Sequence, residues 1–198
     1  MNAVEPASAL SETVRAAAAG KMPVWAVAKP KRREHVARVA ALMREWAEAL
    51  GLGADDVARW AAAGTLHDAL RDADPDELRR EVPPELRGLH DALLHGPAAA
   101  ERLKDEADEE MLDAIRYHTL GYAGFGRLGR ALYLADFMEP GRRFDPEWTA
   151  SLRAHMPREM DAVLREVVEA RVAHVDGETG SVHPLTLAFR DAVTEGAP

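Results

Sequence analysis

The chain has 198 residues, 47% of them hydrophobic and 30% charged, the balance of one globular domain with a single sizeable core. It contains no cysteine, which excludes a disulfide scaffold, a thiolate metal site and a cysteine nucleophile. Twenty-five Lys and Arg against 34 Asp and Glu leave a formal charge of -9, which argues against nucleic-acid polymers and anionic membranes as partners but permits an anionic ligand at a locally positive site. The first 20 residues lack the basic start and apolar run of an export signal, and nothing approaches a membrane span, so a cytoplasmic location is expected.

A single isoleucine, abundant alanine and recurring leucine favour helices over a large sheet. Over 31–50, Val36, Val39, Leu42, Met43, Trp46 and Leu50 recur every three to four residues and predict a helix that stops at Gly51 and Gly53. Asp55 and Asp56 open a second helical pattern through Val57, Trp60, Ala61 and Leu66. Pro75, Pro83 and Pro84 break 72–88 into turns and short helical pieces. Gly96 and Pro97 start a helix through Leu103, and 108–119 carries Met111, Leu112, Ile115 and His118 on one face. The glycine-rich TLGYAGFGR stretch over 119–127 predicts a loop. Leu128, Leu132 and Ala135 define a further helix, Pro140-Gly141 punctuates it, and a long helix is expected over 157–174. The tail reads as a turn and a short docking helix. No repeat, linker or composition break divides the chain, which is therefore expected to be an all-α, compact helical bundle.

Against this helical background stand six imidazoles and carboxylates: His35, the adjacent His67-Asp68, His95, His118 and Asp136. His35 shares the face of Val39 and Leu42, His118 that of Ile115, and Asp136 follows Leu132 by one turn. Each has an ordinary structural explanation. A histidine on an apolar face is commonly a core residue, His67-Asp68 fits a helix-terminal pair, His95 fits a turn or cap, and Arg130 or a backbone donor would satisfy Asp136. A buried aspartate is nevertheless costly, and a cation offsets that cost because carboxylate oxygen and neutral imidazole nitrogen both donate electron pairs. Six such groups suffice for two divalent ions, with Asp68 placed to bridge them.

Taken in order, REHVARVA, AAAGTLHDALR, LLHGPAAA, AIRYHTLG, LYLADFMEPGRRF and SVHPLTLAFRD resemble the HD phosphohydrolase superfamily, and within it the YqeK-type symmetrical bis(5'-nucleosyl)-tetraphosphatases. The resemblance covers about residues 30–190. It implies an N-terminal extension over 1–29 packed on or flanking an HD domain at 30–190, with a tail at 191–198. It further implies that His35, His67, Asp68 and Asp136 ligate a first metal, and that Asp68, the catalytic bridging ligand, reaches a second metal held by His95 and His118. Iron is the first expectation for the pair, with manganese or magnesium as alternatives. The implied reaction is hydrolysis of diadenosine tetraphosphate, or a related dinucleoside polyphosphate, to two nucleoside diphosphates by metal-activated water. A nucleotidase with the same centre and a silent nucleotide- or protein-binding HD domain are the alternatives.

Five arginines between 116 and 143 face only Asp136 and Glu139, a local sum of +3 suited to a polyphosphate. Arg142 and Arg143 are candidates for a phosphate clamp, with a solvated helix-end cluster as the other reading. Arg71, Thr119 and Gly121 are further substrate candidates. Tyr117, Tyr122, Phe125 and Phe137 are candidate base-stacking rings, although core packing explains such spacing equally. His90 lies outside the ligand series, His155 and His174 have no evident partner, and His183-Pro184 suits a packed tail. Ala69-Leu70-Arg71 departs from the smaller residue and lysine that relatives often place after the HD pair. A homodimer is possible on this reading.

Overall fold

The computed structural model of the protein describes residues 10–195, so residues 1–9 of the expected extension and 196–198 of the expected tail lie outside it. Among the described residues the chain is all-α: α1 (Glu12–Ala18), α2 (Pro30–Ala49), α3 (Ala54–Leu66), α4 (Pro75–Glu81), α5 (His95–Leu103), α6 (Glu109–Tyr117), α7 (Arg127–Met138), α8 (Pro146–His155), α9 (Met160–Thr179) and α10 (Pro184–Thr194). Short 3-10 turns at Pro84–Leu86 and Asp91–Leu93 fill the proline-broken connector. No described helix is long and apolar enough to cross a membrane.

α2 and α3 form the central pair. Pro30 stands at the first position of α2, where its missing N–H costs nothing, and Val36, Val39, Met43 and Trp46 are buried along one stripe. In α3 every side chain from Trp60 to Leu66 is buried, because α1 and α2 both pack on it and α6 and α7 cover the rest. The two helices cross at Gly64, where an added Cβ would sit 2.7 Å from the Cα of Ala40. Backbone cannot yield as a side chain does, so Gly64→Ala is expected to destabilise the protein by about 1–3 kcal/mol and to lower Tm by roughly 2–10 °C, readable by thermal denaturation.

α1 and α8 are absent from the periodicity reading. Ser11 caps α1 by accepting the Val14 N–H at 3.1 Å, and Val14 and Ala17 enter the same core as α3, so residues 10–18 are built into the bundle. Asp145 caps α8 in the same way through the Trp148 N–H at 3.1 Å, and Pro146 follows at the first helical position. Asp-Pro ahead of Trp148 and Leu152 is the signal that marks this helix in the sequence. α9 runs five residues beyond the expected 174, and α10 continues past 190.

The connections aim side chains at one end of the bundle. His67 and Asp68 follow α3 in a tight turn held by Ala69 N–H to Leu66 O and Arg71 N–H to Asp68 O bonds of 3.0 and 3.1 Å. An extended N-terminal strap braces that turn, with Val27 N–H on Ala69 O at 2.8 Å and Asp72 N–H on Val27 O at 3.1 Å. His95 opens α5 and His118 closes α6. His183 caps α10 through the Leu185 N–H at 3.2 Å, and buried Phe189 packs onto Gly121, whose φ of +80° only glycine adopts freely.

Candidate metal centre

His35 from early α2, His67 and Asp68 after α3, His95 from α5, His118 from the end of α6 and Asp136 from the last turn of α7 meet in one buried cluster, none more than 7% exposed. The Asp68 carboxylate divides them. Its Oδ2 lies 3.7 Å from His35 Nε2 and 3.6 Å from His67 Nε2, while Oδ1 lies 3.0 Å from His95 Nε2 and 3.5 Å from His118 Nε2. Asp136 Oδ1 stands 3.0 Å from His35 Nε2 and 3.9 Å from His67 Nε2. Two overlapping donor groups result, His35–His67–Asp136 and His67–Asp68–His118, each with its ligand atoms within 4.8 Å of one another. The Nε2 of His95 adjoins the second group, 3.1 Å from that of His118.

Three rings have their tautomer set from behind. His67 Nδ1–H donates to Gly64 O and His118 Nδ1–H to Ile115 O, both at 2.8 Å, and His35 Nδ1–H donates to Glu139 Oε1 at 3.1 Å. Carbonyl and carboxylate oxygens only accept, so in the neutral ring each Nε2 presents a lone pair inward. Burial pushes His67 down to about 4 and also lowers His95, which keeps both imidazoles neutral near pH 7. His118 runs the other way, because the Asp68 carboxylate more than offsets its burial. Burial would raise Asp68, but His67, His118 and His95 outweigh it and hold this carboxyl well below its usual range. His35, Arg142 and His67 do the same for Asp136.

His35 Nε2, His67 Nε2 and His95 Nδ1 are buried without a hydrogen-bond partner among the described residues. An unsatisfied buried polar atom costs about 1–3 kcal/mol, so such a cluster needs an explanation. Imidazole nitrogens and carboxylate oxygens at this spacing fit divalent transition-metal ions. The donor set therefore accommodates metal at two adjoining positions.

Around the cluster lies a cavity of about 390 Å³ that includes Asp68, His95, His118, Thr119, Asp136 and Arg142 in its wall. Four arginines line it, Arg32, Arg71, Arg142 and Arg171, which outnumber its two aspartates. Arg32 pairs with Asp68 Oδ2 at 2.7 Å; Arg142 ion-pairs with the Asp136 carboxylate and donates from Nε to its carbonyl at 2.8 Å. Arg171 Nη2 donates to Thr119 O at 3.1 Å. Arg143 and Gly121 do not line this cavity: Arg143 is exposed to solvent and Gly121 is buried under Phe189. Arg116 and Arg130 are likewise engaged elsewhere, with Asp113 and Asp161. The positive count over 116–143 thus overstates what that segment brings to the cavity, since Arg32 and Arg171 come from other helices.

Tyr117 and Tyr122 stack on each other at 4.8 Å away from the cavity, and Phe125 is buried against Phe189, which leaves Phe137 as the one of the four candidate rings on the wall. His155 pairs with Glu159 at 3.2 Å and His174 with Glu178 at 3.4 Å. Glu139, 2% exposed, was readable as a partner of the site from its place three residues after Asp136, and Arg32 from its place three before His35 on one helix. Arg171 carries no such signal.

The HD domain family model matches residues 32–162, and the chain belongs to the HD-domain family. It is 37% identical over 90 residues to the symmetrical bis(5'-nucleosyl)-tetraphosphatase of Bacillus subtilis (strain 168), covering 41% of this chain and 48%, about half, of that relative's length. It is 30% identical over 134 residues to the protein of the same name from Halalkalibacterium halodurans, covering 64% of this chain and 71% of the relative. In three dimensions it is similar to a predicted HD superfamily hydrolase involved in NAD metabolism from Clostridium acetobutylicum, with a TM-score of 0.71 at 24% identity over 84% of this chain and 90% of that one. The family match and the buried His/Asp groups together define an HD-domain protein whose donor set suits metal ions.

Proposed function

We propose that the protein hydrolyses dinucleoside tetraphosphates symmetrically, with diadenosine tetraphosphate giving two ADP. The observation that carries this reading is the Asp68 carboxylate, one oxygen turned to His35 and His67 and the other to His95 and His118, beside an arginine-lined cavity. The names of the curated relatives supply the substrate class.

On this reading His35, His67, Asp68 and Asp136 hold one divalent ion, and Asp68, His95 and His118 hold a second. The imidazole-rich set favours iron, with manganese ahead of magnesium as the substitute. When bound, the ions supply Lewis acidity, lowering the pKa of water and neutralising charge at phosphoryl oxygen. The chain's own residues do the rest. Arg142, Arg71 and Arg171 take the phosphate oxygens, and Thr119 holds Arg171 through its carbonyl. The departing nucleoside diphosphate is a weakly basic leaving group, so no strongly acidic side-chain donor is required.

Arg142→Ala is expected to raise KM for the tetraphosphate about 10-fold or more, because a charge-assisted contact is lost. The same change at the exposed Arg143 is expected to move KM by less than about twofold. Steady-state kinetics on the two variants check this.

The deciding experiment is anaerobic hydrolysis of diadenosine tetraphosphate with iron, manganese and magnesium compared, metal quantified and all nucleotides resolved. Two ADP per substrate with about two ions per chain is the expected result. ATP plus AMP would overturn symmetrical cleavage, and inorganic phosphate from a mononucleotide in its place would make the protein a nucleotidase.

A further inference from the structure

The cavity changes character from base to rim. At its base His95 and His118 are at most 3% exposed, and Arg32 and Arg142 pair with Asp68 and Asp136; at its rim lie Phe144 and Val175, 44% and 36% exposed, with His174. Only four large hydrophobic side chains are exposed among the described residues, and two of them, Phe144 and Val175, line this one cavity. Scattered exposed apolar residues are ordinary, but two on the wall of a charged cavity suggest a ligand with an apolar part.

Phe144 is held in place. Its ring centroid lies 5.6 Å from Phe137 and 6.1 Å from Trp148, and 5.6 Å from the His174 imidazole. The next residue, Asp145, has a φ of +33°, the one positive value at a non-glycine among the described residues, and it caps α8. Such a conformation costs about 1–3 kcal/mol and persists only where its surroundings enforce it. Arg171 lines the same cavity, its guanidinium 5.5 Å from the centre of the Phe137 ring.

We propose that Phe144 and His174 form a stacking shelf for a nucleobase whose phosphates lie inward on Arg171 and Arg142. The proposal rests on the nucleotide-hydrolase reading and adds where the base is held. A flat π-face is what an exposed ring offers to every base, and phosphate is what the arginines offer, so the ligand class is a nucleoside polyphosphate bound base-outward.

The test is equilibrium binding of ADP and of inorganic pyrophosphate to the metal-loaded protein, wild type against Phe144→Ala, Phe144→Trp and His174→Ala. Phe144→Ala is expected to weaken ADP about 10-fold while leaving pyrophosphate within about twofold, and Phe144→Trp to restore ADP. If Phe144→Ala fails to fold, His174→Ala carries the same comparison. Equal losses for both ligands would reduce Phe144 to a prop for the Arg142 loop and overturn the shelf. An unchanged ADP affinity, or a wild type that holds ADP no better than pyrophosphate, would overturn it too. Failure of symmetrical tetraphosphate cleavage by the wild type is a separate result, because the ratio of ADP to pyrophosphate binding does not depend on turnover.

Discussion

Replacing Asp68 with alanine is expected to cut metal content from about two ions per chain to at most about one and to slow hydrolysis at least about 1,000-fold, roughly 4 kcal/mol of transition-state stabilisation. The size follows from the way this side chain is shared. Its two oxygens face different imidazole pairs, so on the proposed reading one substitution withdraws an anionic ligand from both ions at once. The fold itself is expected to survive, because the lost group is a buried charge and its cationic partner Arg32 is 26% exposed and free to turn to water. Metal analysis of the purified variant, alongside far-UV circular dichroism, checks both halves. Asp68→Asn, which keeps the volume and loses the charge, is expected to behave almost as badly; full occupancy and turnover in either variant would remove Asp68 from its bridging role.

Glu139 is expected to matter nearly as much without touching substrate. Its buried carboxylate accepts His35 Nδ1–H at 3.1 Å, the Gly141 N–H at 2.6 Å and the Arg38 guanidinium, so it fixes both the tautomer and the angle of His35. Burial works against its ionised form, but Arg38, His35 and the Gly141 N–H outweigh that and keep its carboxyl below the usual range. Glu139→Ala is expected to weaken metal binding about 10–100-fold, with Glu139→Gln intermediate because an amide oxygen still accepts from His35 but no longer balances Arg38. Competition with a chelator of known affinity reads this directly. KM at saturating metal is expected to stay within about twofold, whereas a residue that merely supported the fold would lower Tm and leave metal affinity alone.

The helical class was legible because burial in α2 and α6 follows a 3.6-residue period that side-chain chemistry alone displays, whereas α3 and α7 are buried on nearly every side in their C-terminal halves. The six histidines and aspartates stood out for a related reason. Each is a polar group on a face otherwise reserved for the core, which is a local contradiction visible without coordinates. Short α1 and α8 were not legible by periodicity, since one or two buried residues in a helix of 7 or 10 residues make no period, and only their capping residues mark them.

The lining of the cavity obeys different rules. Arg142 and Arg143 are neighbours in sequence, yet one is tied to Asp136 and the other faces solvent, because a chain leaving a helix turns successive side chains in different directions. Gly121 sits in a suitable loop but serves the packing of Phe189 from a helix more than 60 residues later. Arg171 and Phe144 reach the cavity from α9 and from the turn before α8, and no local pattern announces either. By itself the sequence determined which elements are helical and which polar groups need a partner in the core, since both depend on residues a few positions apart. Only the tertiary structure decided how Asp68 divides its oxygens, which arginines surround it and which ring stands at the rim, because those depend on how distant helices pack across one another.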